Sequence, residues 1–326
     1  MPLKTSVGSE LLRVSGWILA GAICLSGCAS LQGVTHIDAG ERLSGALPSA
    51  VELKHVAFFP QTEDQCGPAA LATVLQHAGV VRTLQQLKAD VYLPQRQGSL
   101  PLEMLGAARR AGVLPYVLQD GARTLWQEVA AGHPVVVLQN LRWDWLPLWH
   151  YAVVVGYDQG AGTVTLRSAD QERLVMSMAD FESSWAKAKH WAFVALPTHQ
   201  LPITAKPTEY VNAAIALERA APSQAVQAYR VALEAWPTHL EARLALGNSL
   251  YRLGDLLGAQ SQYEQATLYH PHAADAWNNL AQVLFELNQP EQARAAISQA
   301  LRLGGPRITR YEATRVTIDK SRDQAP

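Results

Sequence analysis

Two residues of this 326-residue chain have the type and setting for nucleophilic chemistry, Cys66 and His150. Cys66 stands in PQTEDQCGPAALATVL, Pro60 to Leu75. A thiol is a poor nucleophile until it becomes a thiolate. The first turn of a helix lowers its pKa through exposed backbone N–H groups and the helix dipole. The apolar run Ala70 to Ala78 stops at Gly79 and predicts a buried helix with Cys66 near its head. Gly67 would let substrate approach the backbone closely, and Pro68 is tolerated where a first-turn N–H has no intrahelical acceptor. Gln61, five residues upstream, could set its side-chain amide beside the Cys66 N–H, giving two donors for a developing oxyanion. His150 opens HYAVVVGYD, where an imidazole at the start of a central strand could act as base and then acid.

The elements that must hold these residues fall into an α+β domain. Thr83 to Ala89 and Pro101 to Ala111 read as short helices, the second ended by Gly112. Val113 to Leu118, Pro134 to Leu138, Tyr151 to Tyr157, Thr163 to Arg167 and Trp191 to Leu196 are β-branched or aromatic runs between turn residues. They predict a mostly antiparallel sheet. Helices first and sheet second place this domain at 56–197. Trp143, Trp145 and Trp149 crowd the loop before His150, either as the wall of a substrate groove or as an aromatic lid over the core.

A Pro-containing linker, 198–207, leads into a sequence that repeats itself. Ala225, Ala259 and Ala293 stand 34 residues apart, as do Tyr229, Tyr263 and Ile297, then Ala232, Ala266 and Ala300. That period with small residues at those offsets matches the tetratricopeptide repeat, a helix–turn–helix unit stacked into an all-α domain over 208–306. Residues 307–326 are expected to form a capping segment and tail.

The first residues read as a targeting segment. Lys4 and Arg13 precede the short apolar run Trp17 to Leu25, too short for a permanent membrane span. Leu25-Ser26-Gly27-Cys28 resembles the bacterial lipobox. That implies cleavage after residue 27, lipidation of Cys28 and a tether over 28–55. Ala29 and Ser30, with no Asp directly after Cys28, favour the outer membrane by resemblance to enterobacterial lipoproteins. Cys24 would be removed and Cys28 blocked, so Cys66 would be the one thiol of the processed chain.

The net charge of −1 and the lack of a basic run give no reason to expect nucleic acid as a partner. His133, His150 and His190 lack metal-ligand spacing, and no phosphate-cradling loop is present, so no metal or cofactor is expected.

The pattern Q-x4-C-G-P-A-A-L followed by H-Y-A-V-V-V-G-Y resembles cysteine peptidase family 39. These are the papain-like domains that trim double-glycine leaders from bacteriocins, with their secreted relatives. The resemblance covers roughly 56–197 and implies Cys66 as nucleophile, His150 as general base and Gln61 as oxyanion donor. The family usually carries Asp-Pro just after the strand that follows the histidine strand. Here TVTLR is followed by Ser168-Ala169-Asp170. The imidazole's orienting partner is therefore Asp170, then Ser168, then Asn140, in order of preference. The expected protein is a membrane-anchored periplasmic cysteine peptidase. Its repeats would bind a protein and its cleft a protein or peptide substrate. The competing expectation is a catalytically idle lipoprotein scaffold.

Overall fold

The computed structural model describes residues 47–60 and 65–320. Strand β1 (Ala50–Glu52) leads in, followed by helices α1 (Cys66–His77) and α2 (Leu84–Val91) and the small hairpin of β2 (Tyr92–Leu93) and β3 (Gly98–Ser99). Then come α3 (Pro101–Arg110), β4 (Leu114–Val117), α4 (Ala122–Ala130), β5 (Val135–Asn140) and β6 (Trp149–Asp158). The domain ends with β7 (Thr163–Ser168), β8 (Gln171–Ser177), α5 (Met178–Ala186) and β9 (Ala192–Leu196). Thr83 caps α2 through a capping box with Gln86, and Pro101 opens α3 at a position that needs no N–H donor.

The main sheet has the order β4-β9-β5-β6-β7-β8, all pairs antiparallel, with β1 beside β6 where β5 has ended. Both faces are covered. One carries α1, α2 and α3 on Val136, Tyr151, Val153 and Val155. The other carries α4 and α5 on Val137, Ala152, Val154 and Leu166. The alternation along β6 (Tyr151 to one side, Ala152 to the other) is the period-two pattern of a strand buried twice.

Three features depart from the sequence expectation. β1 lies inside the stretch expected to be tether, so the domain begins before residue 56. The order is not helices then sheet, because α4 and α5 are inserted among the strands. β8 was not foreseen; its mixed, half-exposed residues QERLVMS lack the β-branched signal of its neighbours.

From Pro207 the chain is helical: α6 (Pro207–Glu218), α7 (Pro222–Ala235), α8 (Leu240–Arg252), α9 (Leu256–Tyr269), α10 (Ala274–Glu286), α11 (Pro290–Leu303) and α12 (Ile308–Lys320). Six of these form three stacked pairs, and α12 closes the stack with Tyr311 and Ile318 buried. Residues 308–320 thus form the expected capping segment, and 321–326 lie outside the described residues. The repeat alanines are what the stack requires: Ala225, Ala259 and Ala293 are fully buried where helices cross. Gly247 serves the same end, since a Cβ there would lie 2.5 Å from the Tyr263 ring.

The repeats share a buried cluster with the sheet, running from Leu114 and Leu196 through Tyr210 to Tyr311. The linker is pinned as well. Buried Glu128 accepts hydrogen bonds from the Thr204 N–H at 2.8 Å and from Thr204 Oγ1 at 2.6 Å, and meets His133 Nδ1 at 2.6 Å. The Tyr116 hydroxyl accepts from the Lys206 N–H at 3.0 Å.

Candidate active site

Cys66 is the first residue of α1, and the Ala69 N–H donates to the Gln65 carbonyl in the opening turn. It is half-buried and lies outside any disulfide. Nearly all of α1 behind it is buried, which fixes the helix and its positive end against the sheet. α1 packs on β6, the strand whose second residue is His150.

His150 is half-buried, and its Nε2 lies 2.8 Å from Ser168 Oγ. Burial pushes the imidazole down to about 4. Desolvation penalises the charged form, and a hydroxyl partner supplies no countercharge to offset it. With the proton on Nε2, the ring donates to Ser168 and leaves the Nδ1 lone pair as a base.

The sequence-expected orienting partners separate clearly. Ser168, itself buried at the end of β7, makes the bond to the imidazole. Asp170, ranked first from sequence, is exposed in a two-residue turn, because Ser168 pairs with Gln171 and Ala169 takes φ 53°. Asn140 is buried but engaged elsewhere: its Oδ1 accepts from the Arg142 N–H at 3.1 Å and the Leu148 N–H at 2.9 Å. Gln61 and the lipidation candidate Cys28 lie outside the described residues.

Two residues near the thiol escaped the sequence reading. The Tyr151 hydroxyl donates to the Ser99 carbonyl at 3.2 Å. Its pKa is raised first by burial and then by the charge of Cys66, which places that hydroxyl within electrostatic reach of the sulfur. Ser99 also explains Gly67. A Cβ at Gly67 would stand 2.5 Å from Ser99 Oγ and 2.8 Å from Ser99 Cβ, so the space expected for substrate is taken by β3. An alternating strand with Tyr at the second position was the only available hint.

Trp143, Trp145 and Trp149 are no lid over the core. They are 63%, 78% and 50% exposed. Among the described residues no group of three His, Cys, Asp or Glu side chains could hold a metal, and no helix is long and apolar enough to cross a membrane.

Comparisons with known proteins agree with this architecture. Residues 53–193 match the model of the Peptidase_C39 like family, and residues 210–259 and 244–307 match the tetratricopeptide repeat. Among solved structures, a C39-like peptidase from Bacillus anthracis is 20% identical, with a TM-score of 0.39. The match covers 46% of this chain and 98% of that one. The peptidase domain of Streptococcus ComA, a bi-functional ABC transporter involved in a quorum sensing pathway, is 25% identical with a TM-score of 0.36, covering 44% and 99%. The Sgt2 tetratricopeptide domain from Aspergillus fumigatus is 22% identical with a TM-score of 0.33, covering 40% and 88%. No curated protein matches the chain. The chain joins a C39-peptidase-like domain to a tetratricopeptide-repeat domain.

Proposed function

We propose that the protein is a cysteine peptidase, anchored by lipid at Cys28 to the periplasmic face of the outer membrane, whose repeats bind a protein. The observation that carries this reading is the 2.8 Å hydrogen bond between His150 Nε2 and Ser168 Oγ, which frees Nδ1 to serve Cys66 at the head of α1. In the proposed reaction Cys66 gives its proton to His150 Nδ1, and the sulfur attacks the substrate carbonyl. The oxyanion is met by the Cys66 N–H and Gln61. Collapse breaks the C–N bond, the imidazolium protonates the leaving amine, and a thioester remains. Water, losing a proton to the same imidazole, then releases the acid and restores the thiol.

A scaffold reading has one observation in its favour. Ser168 cannot neutralise an imidazolium as a carboxylate would, so the site is built for slow turnover. The test is a peptide mixture incubated with the full chain and read by mass spectrometry. Cleavages that vanish in both Cys66→Ser and His150→Ala support the peptidase. Identical peptides with and without the protein leave the scaffold.

A further inference from the structure

The hairpin of β5 and β6 does not stop at the end of the sheet. Beyond the Asn140–Trp149 pair, the Leu141 N–H donates to the Leu148 carbonyl at 2.9 Å, and Trp143 bridges to Leu146. Three further residues on each arm extend it by roughly 10 Å. The protrusion is braced: Asn140 ties both arms, and Lys187 Nζ donates to the Arg142 carbonyl at 2.8 Å. Its surface is apolar nonetheless. Trp143, Trp145 and Trp149 are exposed together with Leu141, Leu146 and Leu148, and the Trp143 and Trp145 rings stack at 5.7 Å.

Single exposed apolar residues need no explanation, but six on one nine-residue hairpin mark a contact surface. Indoles and leucines with cations at the base, here Arg142 and Lys187, are the composition of an element that sits at the bilayer surface. Asp144 at the turn limits the depth to the headgroup region.

We infer that the hairpin Leu141–Trp149 inserts into a phospholipid surface, turning the His150 end of the domain toward the membrane. The inference builds on the anchored reading. About twenty residues separate Cys28 from Ala50 and reach roughly 70 Å when extended, whereas β6 spans only about 33 Å. The tether is thus long enough for the hairpin to meet the membrane, although Ala50 pairs at the opposite end of β6 from His150.

The test reconstitutes the full lipid-modified chain in phosphatidylethanolamine–phosphatidylglycerol vesicles doped with brominated phosphatidylcholine. Tryptophan quenching is compared for wild type and Trp143→Ser/Trp145→Ser. The inference expects quenching to fall by more than half in the variant while both proteins float with the vesicles. Equal quenching in the two overturns it. If the wild type floats and the variant does not, the anchored reading fails and the hairpin inference stands; if neither floats, both fail. A variant with unchanged quenching and a raised KM for peptide, in detergent as in vesicles, makes the hairpin a substrate wall and also overturns the inference.

Discussion

His150 Nε2 near the start of β6 and Ser168 Oγ at the end of β7 stand 2.8 Å apart, a histidine oriented by a neutral hydroxyl. The imidazole is positioned without being charged. Burial holds its pKa at about 4.

The first consequence is an acid limb of activity at unusually low pH. The imidazole accepts a proton only when neutral, which it is above its folded pKa. Activity should therefore persist through pH 5 and fall as pH drops through about 4. The carbon-bound proton shifts of His150, followed by NMR in the Cys66→Ser variant, should titrate with the same midpoint. A midpoint near 6.5 contradicts the assignment.

Ser168→Asp should move that midpoint upward, because a carboxylate 3 Å from the ring favours the imidazolium. The same change should raise turnover by stabilising the charge formed when Cys66 loses its proton. Ser168→Ala removes one neutral hydrogen bond, worth about 0.5–1.5 kcal/mol, and should cost about two- to tenfold in kcat with little change in KM. A pH–rate profile of both variants separates these effects.

The folding linkage has a definite sign. The folded imidazole binds its proton less readily than an unfolded one, so the unfolded state binds more protons between pH 6.5 and about 4. Stability should fall as pH decreases across that window and level off below it. His150→Phe should flatten this part of the curve in urea titrations.

Gly67→Ala should destabilise the protein by about 1–3 kcal/mol, since the added methyl meets Ser99. Ser99→Gly in the same chain removes both clashing atoms and should recover part of the loss. Additive losses in a double-mutant cycle of urea unfolding would deny the contact.

Glu128→Ala leaves the Thr204 N–H and hydroxyl without their acceptor. A loss of about 2–4 kcal/mol is expected, together with faster proteolysis within 198–206. An unchanged cleavage rate would show that the linker is held by other contacts.

Much of this was legible in the sequence, for identifiable reasons. β5, β6 and β9 are buried on both faces and announced themselves as β-branched or aromatic runs. The repeat helices announced themselves by period. α4 was hidden because it is short and starts after Gly121 without a side-chain cap, and β1 because three residues carry no pattern until β6 pairs with them. At the site, Cys66 and His150 were marked by local context, but their neighbours were not. Asp170 has the better chemistry and Ser168 the better place. A two-residue turn decides between them, and turn geometry was not written in the residue types. Tyr151 and Ser99 meet only because a hairpin folds over α1.

The central claim is that Cys66 and His150 act on one proton. It is tested most directly by the rate of iodoacetamide alkylation at Cys66 against pH, in the full chain and in His150→Ala. With the imidazole neutral above about pH 4, the account predicts that His150 assists as a base, so that alkylation between pH 6 and 7 falls at least tenfold in His150→Ala. Identical titration curves for the two proteins, both centred near the model thiol value of about 8.5, would contradict it.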